Sequence, residues 1–256
     1  MLNQDIRRTA FYIFRNSAVP AIIVAGINTG LLLLIIEVAE NLLNGQYIFL
    51  MILRLLAIVM FSVLADYFAM RSWLLGKCRF EYLAQPITTR RIRKKFVPLS
   101  VAITVIYCLL AIPLFILAIL LVLGLLSIIT DTGFDMNKFF IYVAVYVLIV
   151  RLVTTAVKFA IYIFASGAQY SAAGTLWRGL TYFIRNLPGW LWFNLTVNFV
   201  PAIILAMLKM MFTSSLSIVI MYIPVTAYLM IAKAGYVYEN ILRNEFGYEG
   251  AQSFAI

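Results

Sequence analysis

Six long apolar runs dominate this sequence. They cover about residues 18–40, 47–75, 97–129, 139–167, 188–211 and 215–238. A helix needs roughly 20 mostly apolar residues to cross the hydrocarbon of a bilayer, and each run meets that length. Lipid offers the backbone no hydrogen-bond partners, so only helices or closed barrels satisfy it. The short alternating segments of a barrel are missing. The expected fold is therefore all-α: a polytopic membrane helix bundle of about six transmembrane helices in three hairpins, with amphipathic cytoplasmic helices. Composition points the same way. Hydrophobic residues make up 64% of the chain and charged ones 12%, with a mean hydropathy of +1.01, where a soluble domain is roughly 25% charged. The first run is too long for a signal-peptide core and is expected to stay as a permanent span.

The distribution of charge sets the orientation. The net charge is +10. Arg7, Arg8 and Arg15 precede the first run. Lys77, Arg79, Arg90, Arg91, Arg93, Lys94 and Lys95 separate the second from the third. Arg178 and Arg185 separate the fourth from the fifth, and Arg243 follows the sixth. The alternate connections, at Asn41 to Gln46, Asp131 to Lys138 and near Phe212, carry little positive charge. Basic residues stay on the cytoplasmic side of a membrane. Both termini are thus expected in the cytoplasm, most simply beneath a bacterial plasma (inner) membrane. Attraction to anionic headgroups accounts for basic residues beside spans, so no nucleic-acid partner is expected.

The chain forms one membrane domain over 1–256, and it repeats itself. Arg8, Tyr12, Arg15 and Asn16 recur as Arg178, Tyr182, Arg185 and Asn186, at an offset of 170 residues. At the same offset Asn28 meets Asn198, Met51 meets Met221, Ala57 meets Ala227, and Met60 meets Met230. The repeat spans 8–75 and 178–245. A fainter middle copy covers 86–168, where Arg93 to Pro98 echoes Arg15 to Pro20. Each copy reads as a short amphipathic helix leading into a two-span hairpin. On that helix Arg8, Tyr12, Arg15, Arg178, Tyr182 and Arg185 are expected to lie at the lipid interface, with Phe11, Ile13, Phe14, Tyr182, Phe183 and Ile184 dipping into the acyl boundary.

Ionisable groups inside the runs are costly in lipid and are the first functional candidates. The candidates are Glu37, Arg54, Asp66, Arg151, Lys158 and Lys233. Folding the first hairpin about residues 45–46 sets Glu37 level with Arg54. Asp66, Lys158 and Lys233 each lie roughly 20 residues from their outer loop, or about 30 Å at 1.5 Å per residue. They are expected near the inner boundary, close enough to neutralise one another. Arg151 lies nearer mid-membrane and is the candidate for lining a polar cavity. Asn28, Asn194 and Asn198 are expected to hydrogen-bond between helices. Pro113, Pro201 and Pro224 are expected to interrupt their spans.

Much chemistry is missing. The chain has no histidine, and its two cysteines, Cys78 and Cys108, sit in different environments. No disulfide, metal site or cofactor is expected. No nucleophile elbow or phosphate-binding loop occurs, and Asp66 is the single aspartate within the runs. No catalytic residues are expected, and the protein is read as not an enzyme.

The stretches Phe11 to Asn16 and Trp177 to Asn186, with their hairpins, resemble a largely uncharacterised group of six-span bacterial membrane proteins. That group is related to the membrane domain of glycerophosphodiester phosphodiesterases. The resemblance covers nearly the whole chain and implies the fold, with no hydrolysis carried over. A second, local resemblance covers about thirty residues. The stretch Glu81-Tyr-Leu-Ala-Gln-Pro-Ile-Thr-Thr-Arg-Arg91 looks like the coupling segment of ATP-binding-cassette exporter permeases. It implies a permease-type subunit that docks a cytoplasmic ATPase or another protein through Tyr82, Leu83, Pro86 and Ile87. The alternative is a membrane scaffold, assembly or immunity factor that transports nothing. Besides the lipid bilayer, a second copy of the chain is the remaining partner expectation.

Overall fold

The computed structural model describes residues 3–42, 48–129, 136–167, 170–211 and 215–243. Side chains are described over most of these, with 31–56 and 114–138 as the main exceptions. The turns expected on the outer side, around Asn44, Thr132 and Ser214, lie outside the described residues. The regular secondary structure of the described residues is all helical: α1 Asn3–Asn16, α2 Ala18–Leu42, α3 Ile48–Leu74, α4 Glu81–Thr88, α5 Arg90–Ile129, α6 Met136–Ala165, α7 Ala172–Arg185, α8 Leu187–Met211 and α9 Ser215–Val237. A π-helical turn, Tyr238–Leu242, extends α9. Among the described residues four helices are long and apolar enough to cross a membrane, or five if the bent α1–α2 pair counts as one.

The starts of α7 and α8 follow those of α1 and α2 by 169 residues, since Ala172 and Leu187 stand where Asn3 and Ala18 do. In both copies a 14-residue amphipathic helix precedes the long one, and the α1–α2 pair bends by 98° at Ser17. The middle copy differs. Its short helix is α4, eight residues long, and the break falls at Thr89. From Arg90 the helix runs on through Lys95 and Pro98 without turning. The basic residues 90–95 are therefore the first turns of α5 rather than part of a loop.

Packing follows the same three-part plan. Helices α3, α6 and α9, the return helix of each hairpin, meet one another at the centre. Each short helix packs on the return helix of the preceding hairpin: α4 on α3, α7 on α6, and α1 on α9. The last contact joins the first and the last of these long-range elements, α1 and α9. Small residues permit the close approaches. A methyl group on Gly179 of α7 would lie 2.6 Å from the Ala160 backbone nitrogen of α6, and one on Gly235 of α9 would lie 2.4 Å from the Trp73 ring of α3. Backbones come this near only where side chains are absent, the usual device between membrane helices.

The remaining surface of the long helices is apolar. Val19, Ile23 and Ile27 form an exposed stripe along α2, and Val101, Val105 and Leu109 one along α5. Exposed Phe140, Ile141, Val145 and Leu148 cover α6, and Leu191, Leu195 and Phe199 cover α8. Their spacing of three or four residues gives one continuous face per helix. In water such faces would be costly at about 25 cal/mol per Å²; lipid tails solvate them.

The prolines do not break their helices. Pro113, Pro201 and Pro224 each lie inside a continuous helix, contrary to the interruption expected from the sequence. A proline removes one N–H, and neighbouring groups re-satisfy the disturbed backbone in membrane helices. Here the Tyr146 hydroxyl of α6 donates to the Leu110 carbonyl, three residues before Pro113.

Candidate functional site

At the centre of the bundle Asp66, Lys158 and Lys233 come together, one from each return helix. Counting at 1.5 Å per residue, they stand about 12, 10 and 6 Å from the ends of α3, α6 and α9. The end they approach carries α1, α4 and α7 and most of the arginines and lysines; it is the basic end of the bundle. The Lys158 Nζ lies 3.4 Å from the Asp66 Oδ1, and the Tyr162 hydroxyl, one helical turn beyond Lys158, donates to the same oxygen at 3.5 Å. Lys233 acts on Asp66 electrostatically from α9. The Asp66 side chain is only 6% exposed whereas that of Lys158 is 42% exposed. Thus the carboxylate is held inside while the lysine keeps part of its length at the surface of the bundle.

The other candidates fall elsewhere. Arg151 is exposed on α6, two turns from Lys158, and touches the cluster only through its field at Lys233. The side chains of Glu37 and Arg54 lie outside the described residues. Asn194 and Asn198 satisfy their amides within α8, donating to the Trp190 and Asn194 carbonyls at 3.0 and 2.7 Å. They do not bridge helices, because a side chain pointing back along its own helix reaches the i−4 carbonyl first.

The expected lipid-facing set divides. Arg8, Tyr12 and Arg15 on α1 are exposed, as are Arg178 and Arg185 on α7. Tyr182 is not: it is buried beside Phe183 against the bundle. Ile13 and Phe183, expected in the acyl boundary, are likewise inside. Each short helix has two apolar sets. One, Ile6, Ala10 and Ile13 on α1, packs inward at helical spacing. The other, Phe11 and Tyr12 on α1 with Trp177 and Ile184 on α7, faces out. Arg178 stacks over the Tyr170 ring at 3.9 Å. The Ser171 hydroxyl caps α7, accepting from the Gly174 N–H at 3.2 Å.

The expected docking residues also divide. Tyr82 and Pro86 face inward from α4 and are buried, whereas Ile87 is 51% exposed and Leu83 is half-buried against the core. Burial pushes the Tyr82 phenol up from its ordinary range. Gln85 accepts a hydrogen bond from the Tyr67 hydroxyl of α3 at 3.2 Å. These contacts make α4 a packed part of the bundle.

Three features gave little sequence signal. Arg71 in α3 is 1% exposed; it falls inside the second apolar run, and that position was its one mark. Glu239 is buried in the π-helical turn and accepts from Arg243 at 2.8 Å. Aromatic knots, Tyr67 with Phe96 and Phe164, and Phe159 with Trp190, Phe193 and Tyr236, tie the helices together at the basic end. Both cysteines are free thiols, Cys78 buried and Cys108 half-buried. Among the described residues no three acidic, cysteine or histidine side chains converge. No family model matches the chain, and neither a curated protein nor a solved structure matches it.

Proposed function

We propose that this chain is a six-span, non-catalytic protein of a bacterial plasma membrane, with both termini in the cytoplasm, that works as a scaffold or assembly subunit. The observation that carries this reading is the central cluster. Each hairpin contributes one ionisable group, and Asp66 is shared between Lys158 and the field of Lys233. Charges placed this way join the hairpins. The close Gly235–Trp73 and Gly179–Ala160 contacts support the same use of the basic end, as a packed platform. Three weakly similar units related by repetition, and kinship with the six-span group noted above, belong to this proposal.

A permease-type subunit coupled to a cytoplasmic ATPase is the second reading. Ile87 favours it, because an exposed apolar residue on a short helix at the basic end suits a docking contact. The two readings part in a pull-down. After mild cross-linking in native membranes, affinity purification should recover a partner whose retention is indifferent to ATP and to Ile87→Ser. Recovery of an ATPase that is lost with Ile87→Ser would overturn the scaffold reading.

A further inference from the structure

Arg151 forms no ion pair among the described residues, and its position makes that costly. It falls near the middle of the candidate span Phe139–Ala165, about 21 Å before Ala165 at 1.5 Å per residue. Half of a hydrocarbon core about 30 Å thick separates it from either headgroup layer. Charges at that depth face a polar interior or a partner of opposite sign. Arg151 is instead exposed, and so are Ala144, Val147 and Leu148, which share its face one and two turns earlier. The hydroxyls one turn later donate to α6 itself, Thr154 to the Val150 carbonyl at 2.8 Å and Thr155 to the Arg151 carbonyl at 2.7 Å. Lys233 senses Arg151 and Lys158 as like charges and Asp66 as the opposite one. Three cations thus share a single carboxylate among the described residues.

We propose that this face of α6 docks a transmembrane helix of a partner protein that carries a carboxylate at the depth of Arg151. Depth selects the occupant. Lys158 lies about 10 Å nearer the basic end than Arg151. A lipid phosphate that reached Lys158 would still be that far from Arg151. A membrane helix, by contrast, presents side chains at any depth, because its backbone hydrogen bonds are satisfied internally. The face also suits a helix. Its exposed residues recur at three and four positions, and Ala144 leaves room for a close backbone. The Arg151 guanidinium offers a carboxylate two parallel donors in a fixed fork. Val147 and Leu148 alone would need only lipid; the arginine is what calls for an opposite charge. The inference deepens the scaffold reading and rests on it, naming the chemistry of the partner that the scaffold holds within the bilayer.

The test uses the full chain in phosphatidylcholine vesicles, whose headgroups carry no net charge. A dye is attached to a cysteine replacing Thr88 in the Cys78→Ala/Cys108→Ala background. Energy transfer to labelled leucine–alanine transmembrane peptides measures association. One peptide carries Glu at its centre, a second carries Gln there, and a third carries Glu at its end. The central-Glu peptide should bind about tenfold more tightly than the other two, the strength that a polar contact between membrane helices supplies. Arg151→Met should remove that preference, and Arg151→Glu should transfer it to a peptide with a central Lys. Arg151 is exposed, and unfolding in detergent verifies that each variant folds. Equal binding of the three peptides, or a central-Glu preference that survives Arg151→Met, would overturn the proposal. Energy transfer between two differently labelled copies that vanishes with Arg151→Met would give the face to a second copy and overturn the partner helix. A chain that carbonate washing strips from the vesicles overturns the membrane reading and the proposal together. A chain that stays and shows no preference overturns the proposal alone.

Discussion

Replacing Asp66 with asparagine tests the central cluster most sharply. Among the described residues Asp66 is the one carboxylate facing Lys158 and Lys233, and its Oδ1 accepts from both Lys158 and Tyr162. Breaking a buried ion pair from one side costs about 3–5 kcal/mol, mainly because the other charge stays buried. Here Lys158 is 42% exposed on its side chain and moves outward more cheaply than a buried partner. That discount brings the expected loss for Asp66→Asn to about 2 kcal/mol. Lys158→Met leaves Asp66 with the Tyr162 hydroxyl and the field of Lys233, so its cost is about 1 kcal/mol. The double variant should cost less than the sum, because the groups share one network. Thermal unfolding in detergent, followed by circular dichroism, reads each difference at roughly 2–4 °C per kcal/mol for a chain of this size. If Lys158→Met costs as much as Asp66→Asn, or if the two losses add, the carboxylate does not organise the cluster.

Two further predictions concern the frame around it. Gly179→Ala should destabilise most, because its Cβ meets Ala160 backbone; Gly235→Ala should cost about 1–3 kcal/mol by displacing the Trp73 ring, and Gly189→Ala, which meets only the Tyr236 hydroxyl, should be tolerated. The ranking is read by the same unfolding assay, and a reversed order would contradict the packing. Burial raises the Cys78 thiol above its ordinary pKa, so its folded form resists deprotonation. Its contribution to stability is full below the ordinary thiol pKa and is lost as pH rises through the folded value. Maleimide labelling of Cys78 in the Cys108→Ala background should therefore stay slow at pH 8 and gain rate only at higher pH, while denatured protein labels quickly at pH 8.

The sequence carried the long helices, the short amphipathic ones and the meeting of Asp66 with Lys158. These follow from run length, periodicity and counting along a helix of known rise. What it did not carry was direction. Tyr82 and Pro86 are apolar residues in a hydrophilic stretch, a pattern that suits an exposed anchor and an inward-facing plug equally. Only the position of α3 beneath α4 decides between them. Tyr12 and Tyr182 occupy the same place in the repeat, yet one is exposed and the other packed. The neighbours of α1 and α7 differ although their own sequences correspond. Gly179 and Gly235 look like any helical glycines until Ala160 and Trp73 are set against them. Arg71 was masked by the apolar residues on both sides of it.

Topology tests the central account most directly. In a Cys78→Ala/Cys108→Ala background, single cysteines replace Asn44, Thr132, Ser214, Phe80 and Thr88 in turn. Cys78 itself is unsuitable as a reporter because it is buried, whereas Phe80 and Thr88 are exposed at the basic end. An impermeant thiol reagent is added to intact cells, then to opened ones. Six spans with a cytoplasmic basic end predict outside labelling at Asn44, Thr132 and Ser214, and labelling at Phe80 and Thr88 only after opening. Labelling of Phe80 or Thr88 in intact cells would contradict the orientation, and protection of one outer position alone would contradict the three-hairpin count.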